Sequence, residues 1–167
     1  MIENTTKLTE DQVSETFSLR MKTGSALILR IVSGAAAVFF GAAGCVYRAM
    51  STSPIIFGVA VVLLLFCMFG VPMLIRPKVR ADLNPETPRT YIFEDDGIAA
   101  SFKQDGKTMK TKVKYGTFDQ VTVGEDAIYL RTLQGKGFFV LANDGYTQGS
   151  VEEALEFLKT KGLEPLG

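Results

Sequence analysis

The chain has 167 residues, with 18 Lys/Arg against 18 Asp/Glu, and contains neither histidine nor tryptophan. The balanced charge gives no sign of a polyanionic partner, and the missing histidine removes the usual general base near neutral pH and the commonest metal ligand. Cys45 and Cys67 both lie in apolar runs and read as packing residues, without the spacing of a disulfide or metal site.

From the N-terminus, Thr9-Glu10-Asp11-Gln12 fits a capping box opening a helix. Val13, Phe17 and Met21 recur every four residues behind it, which predicts an amphipathic helix over Glu10–Met21. Thr5 to Leu8 is a candidate short strand before it. Residues 1–24 together read as a cytoplasmic N-terminal segment.

Residues 25–47 and 54–75 form two apolar runs, the first with Arg30 as its one charge and the second with none. About 20 apolar residues in a helix cross roughly 30 Å of hydrocarbon, so both qualify as membrane spans. The short connection from Arg48 to Ser53 makes them antiparallel neighbours, a transmembrane hairpin over residues 25–75. Arg20, Lys22, Arg30, Arg76, Lys78 and Arg80 flank the outer ends, while Arg48 alone lies in the connection. That bias predicts a cell-membrane location with both termini cytoplasmic. Arg30 snorkels to the headgroups, where it is a candidate lipid contact. No other ionisable group lies inside the spans, which argues against a transporter or pump. Ser33, Ala37, Gly41 and Cys45, each four apart, form a small-residue stripe suited to close helix packing. Its expected partner is the second span near Gly58, with a homodimer as the rival. Pro72 is expected to kink the end of that span.

Residues 76–89, with three prolines, read as a linker. From Thr90 the pattern changes to short alternating runs ending at Asp-Gly turns, predicting strands near 89–93, 97–103, 107–115, 117–123, 127–132 and 136–142. Ser150-Val-Glu-Glu153 is a second capping box. Val151, Ala154, Leu155 and Leu158 follow it on one helical face, and Gly162 stops the helix. The expected architecture is a membrane α-helical hairpin plus an α+β domain over residues 90–163. That domain would be an antiparallel β-meander or half-barrel of about six strands, capped by a C-terminal helix.

This order of elements is that of a pleckstrin-homology (PH)-like half-barrel. The whole chain resembles the YcxB-like family of bacterial membrane proteins. The likeness is carried by residues 7–11 (KLTED), 91–97 (YIFEDDG), 115–121 (YGTFDQV), 127–131 (AIYLR) and 152–158 (EEALEFL). The resemblance implies an N-terminal polar segment, two spans and a C-terminal domain, and no enzymatic activity.

Lys110, Lys112 and Lys114 alternate with Met109, Thr111 and Val113, so one sheet face carries three ammonium groups. Lys103 and Lys107 come from the hairpin leading into that strand. Near a cytoplasmic leaflet such a face attracts anionic lipid headgroups; otherwise it is a solvated face or a guard on a sheet edge. Nucleic acid is disfavoured because residues 90–167 carry 9 Lys/Arg against 12 Asp/Glu. Glu94-Asp95-Asp96 and Glu125-Asp126 precede turns, which their side chains support. No phosphate loop, metal set, cofactor motif or nucleophile–base pair stands out. The expectation is a membrane-anchored, non-enzymatic binding or scaffold module. The alternative is an accessory subunit of a membrane complex, with a membrane protein or a second copy as partner.

Overall fold

The structure is a computed structural model and describes residues 1–22, 24–46, 53–104, 107–133 and 137–166. The expected inter-span connection, the Asp105-Gly106 turn and the turn at Gly135 lie outside the described residues. The elements are β1 (Ile2–Thr6), α1 (Glu10–Met21), α2 (Gly24–Val46), α3 (Ser53–Leu65), a π-helical turn (Phe66–Gly70) and α4 (Val71–Leu83). Then come β2 (Arg89–Phe93), β3 (Gly97–Gln104), β4 (Lys107–Lys114), β5 (Phe118–Val123), β6 (Ala127–Thr132), β7 (Phe138–Ala142), β8 (Tyr146–Gln148), α5 (Val151–Thr160) and β9 (Pro165–Leu166). The chain divides into two compact units, Met1–Thr16 with Arg80–Gly167, and Phe17–Val79.

The first unit holds two open sheets, ordered β4-β3-β2-β1-β8 and β7-β6-β5-β9. The six predicted strands are present, but they split into two antiparallel sets at the 3-10 turn Tyr115–Thr117. Inward residues of both sheets make one core, including Phe93, Ile98, Val121, Ile128, Leu130 and Leu141. Ala154 and Leu158 of α5 close it, with Val151 and Leu155 packed alongside as the helical spacing predicts. The Ser150 hydroxyl accepts from the Glu153 N–H at 3.3 Å, completing the N-cap. At the other end Gly162 takes φ +81, and the Leu163 N–H returns to the Leu158 carbonyl at 3.0 Å.

The N-terminal segment requires a correction. Its strand is Ile2–Thr6 rather than Thr5–Leu8, and it lies inside the five-stranded sheet, paired with β2 from Ile2↔Phe93 to Thr6↔Arg89 and with β8. The β unit therefore does not begin at Thr90. Period two was hidden because two of the three inward residues, Asn4 and Thr6, are polar. They are enclosed as a bonded set: the Asn4 amide donates to the Ala142 carbonyl at 2.8 Å, and the Thr6 hydroxyl donates to the Asn4 amide oxygen. The same hydroxyl accepts the Ala142 N–H at 2.9 Å. These bonds tie β1 to β7 of the other sheet and satisfy groups that would be costly to bury alone.

The capping box of α1 forms as its residues predict. The Thr9 N–H donates to the Gln12 side chain at 3.0 Å, and the Gln12 N–H donates to the Thr9 hydroxyl at 3.2 Å. Its first turns dock on the β unit, where the Tyr129 hydroxyl donates to the Glu15 carboxylate at 2.6 Å.

The second unit is an antiparallel helix pair. Two helical stretches, Ala26–Val46 of 21 residues and Pro54–Leu83 of 30, are long and apolar enough to cross a membrane. The second includes residues expected to form a linker: α4 continues through Pro77 to Leu83. A proline inside a helix removes one hydrogen bond, a loss of about 3 kcal/mol, but Val79 and Leu83, four apart, are both buried and extend one apolar face. Asn84, at φ 39, ends the helix with its N–H on the Arg80 carbonyl at 2.9 Å. The π turn over Phe66–Gly70 ends two residues before Pro72, whose ring excludes the ordinary bond to the Met68 carbonyl.

Candidate functional site

The lysine face is built by the β3–β4 hairpin, whose register runs from Gly97↔Lys114 to Gln104↔Lys107. Ile98 and Ala100 on β3 are buried, so their partners Val113 and Thr111 share the core side of the sheet. Lys110, Lys112 and Lys114 consequently occupy the outer side, together with Lys103 opposite Thr108. Lys107 is in phase with Met109 and belongs to the other side, so it leaves the proposed set. Gly97 begins the hairpin because a Cβ there would run into the Val113 carbonyl oxygen.

Lys112 differs from its neighbours. Its ammonium lies 2.6 Å from Glu94 Oε2 and 2.6 Å from Asp96 Oδ1. The hydrogen bond from Lys112 lowers the Asp96 pKa, and the bonds to Asp96 and Glu94 raise that of Lys112. The acidic turn thus neutralises the middle lysine, a role that the turn-support reading of Glu94 and Asp96 did not include. Beside it, Ile92, Ala99, Ser101 and Lys110 line an open hollow of about 430 Å³ on the outer face. Burial and the neighbouring acids push the Tyr115 hydroxyl up to about 12, and it donates to the Glu94 carbonyl at 2.8 Å.

A second hollow, about 570 Å³, has Ile2, Phe93 and Phe157 as its apolar floor and Glu94, Asp95 and Glu153 at its rim. The four-stranded sheet carries a bidentate pair, Arg131 Nε and Nη2 to Asp119 at 2.9 and 2.8 Å, which holds β5 to β6.

In the hairpin, Arg30 is exposed, and its carbonyl accepts from the Cys67 thiol at 3.2 Å. Ser33 and Ala37 are buried as a packing seam requires, but Gly41 is half-buried and Cys45 exposed. Among the described residues of α2 the buried positions are Ala26, Ser33, Ala37 and Gly44. Strict i+4 spacing turns about 40° per step around a helix, so four such residues leave one face; alternating steps of seven and four stay on it. Gly44 packs tightly against the second span, since a Cβ there would lie 3.1 Å from the Phe57 ring. Gly58, the expected contact on the second span, is exposed with open space at its Cβ position, and Ala60 is buried instead.

The described features define a class by architecture: a mainly antiparallel two-sheet unit with a C-terminal helix, interrupted in sequence by two long apolar helices. Compared with known proteins, the chain matches no family model, no curated relative and no solved structure.

Proposed function

We propose that this chain is a membrane-anchored, non-enzymatic binding or scaffold module that displays a PH-like domain at the cytoplasmic face, in the manner of the YcxB-like family it resembles. The observation that carries this reading is the placement of the hairpin between β1 and β2. Thr6 and Arg89 are cross-strand neighbours, so a chain leaving one must return to the other. A two-span hairpin fulfils that condition, because its ends emerge on one side of a bilayer. The basic residues flanking both ends make that side cytoplasmic. Four antiparallel strands in sequence, then three, then β8 returning to β1 and a helix support the PH-like assignment. Anchoring confines the sheet surface to the membrane plane and raises its effective concentration for partners there.

Alkaline carbonate extraction and protease treatment of oriented membrane vesicles test the reading. The chain stays with the membrane, and protease reaches Lys110 and both termini only from the cytoplasmic side. Release by carbonate, or cleavage of the β unit from the opposite side, overturns it.

The alternative, an accessory subunit of a membrane complex, is favoured by the open surface around Gly58. Gly58→Leu lowers recovery of a partner from solubilised membranes if that surface is a helix contact; unchanged recovery removes this alternative.

A further inference from the structure

We propose that the free edge of β4 takes an extended acidic segment of a partner protein as an added strand, with acidic side chains opposite Lys110 and Lys114 and an uncharged one between them. The inference rests on the reading of the chain as a binding module and names its partner's chemistry.

Four observations converge. First, β4 ends the five-stranded sheet and has eight residues, whereas β8 at the opposite end has three. Apart from Val113 every residue of β4 is exposed, so its outward N–H and C=O groups are open to a further strand. Secondly, the charges are unevenly satisfied. Lys112 is held by Glu94 and Asp96, while neither Lys110 nor Lys114 forms a salt bridge among the described residues. The edge therefore offers two cations without a salt bridge, four residues apart, with a paired lysine between them; Lys114 feels Asp96 only at longer range. On an added strand, residues i and i+4 meet the two cations and residue i+2 meets Lys112.

Thirdly, exposed Met109 and half-buried Val113 lie on the other side of β4, where alternate apolar side chains of an added strand would cover them. Fourthly, charge selects the occupant. A second copy joining through the same edge would place lysines against lysines, and like charges directly across strands are destabilising. A guarded edge of this kind repels neutral aggregation and self-pairing while remaining open to an acidic strand. A lipid headgroup uses the lysines but not the row of main-chain donors and acceptors.

The test uses the full chain in detergent-free phosphatidylcholine nanodiscs and a fluorescein-labelled peptide, Thr-Glu-Val-Thr-Val-Glu-Thr, followed by anisotropy. Two control peptides accompany it, one with both Glu replaced by Lys and one with the central Thr replaced by Pro. The parent peptide binds, and each control binds at least tenfold more weakly, the second because proline removes a ladder donor at unchanged charge. The double variant K110E/K114E, checked for unchanged circular dichroism, loses the acidic peptide and gains the basic one. Equal binding of the proline control overturns strand addition. So does capture of phosphatidylglycerol vesicles, abolished in K110E/K114E, without capture of any peptide, which assigns the face to the membrane. Binding of no probe leaves the edge merely guarded and also overturns the inference. In each case the module reading stands or falls separately on the vesicle protease experiment.

Discussion

In the β unit, Ile98, Ile128, Leu130, Val140 and Leu141 are wholly enclosed, and even Asn4 and Thr6 are drawn inside with their bonds complete. In the hairpin unit, Ile28, Val38, Phe39, Val61 and Met73 are all more than half exposed, and the buried residues between α2 and α3 are small. Water-driven burial accounts for the first arrangement, where large apolar side chains contribute about 1.5–3 kcal/mol each. It cannot account for the second, which leaves its largest apolar groups outside. On the proposed reading lipid solvates those groups, and close packing at the small buried residues Ala37 and Gly44 holds the pair. The two units thus show one alphabet of residues serving two solvents, with large apolar groups inward in one and outward in the other.

The sharpest way to break this comparison is to isolate the two sheets and α5 from everything between β1 and β2. A chain with residues 1–6 joined through Asn-Gly to residues 89–167 keeps β1 beside β2 and has the two-residue loop an antiparallel hairpin accepts. It is expected to be soluble and to unfold cooperatively by circular dichroism. Residues 88–167 alone lack β1, leave a gap between β2 and β8, and are expected not to fold. Equal behaviour of the two chains would show that β1 is dispensable.

Next in size is Asn4→Ala. It strands the Thr6 hydroxyl and the Ala142 carbonyl in an enclosed site, and is expected to cost about 3 kcal/mol in urea unfolding of the soluble joined chain. Thr6→Val removes the link to the Ala142 N–H and should cost a similar amount.

Within the hairpin, Gly44→Leu collides with the Phe57 ring and is expected to separate α2 from α3, read as lost cross-linking between engineered cysteines on the two helices. Gly41→Leu, where a Cβ meets open space, is expected to leave the cross-link intact. If Gly41→Leu disrupts it instead, the strict four-residue stripe is the seam after all.

The smallest effect is one of pH. Burial, then the hydrogen bond to Glu15, raises the pKa of Tyr129 above the ordinary value. A raised folded-state value gives stabilisation that is complete below the unfolded pKa of about 10 and is lost as pH rises past it. Tyr91, Tyr115 and Tyr146 shift in the same direction, burial being the largest cause for each. In the full chain, which keeps Glu15, stability is therefore expected to fall above pH 10, and Tyr129→Phe, less stable at pH 7 by about 1 kcal/mol, should make that fall shallower. An unchanged slope would remove Tyr129 from the linkage.

Much of the layout was readable locally. The Thr9–Gln12 and Ser150–Glu153 boxes opened helices where their residues predict, and the Asp96-Gly97 turn set the β2–β3 hairpin. These features depend on bonds spanning three or four residues, so a short window contains the whole cause. The lysine face was legible for the same reason, since period two is a property of the strand itself. The pairing of Lys112 with Glu94 was not, because its partners lie eighteen and sixteen residues away and meet it only across the sheet register.

The sequence by itself determined the two long apolar helices, the strand-rich half and the amphipathic helix α5, because hydrophobic period and capping chemistry act along the chain. Only the tertiary structure decided that β1 completes a sheet whose next strand follows more than eighty residues later. It also decided which small residues face α3, and that a proline-bearing stretch stays helical to Leu83. Those outcomes depend on what stands opposite each side chain, on space and on the closure of buried hydrogen bonds, and no spacing along a single strand of text carries that information.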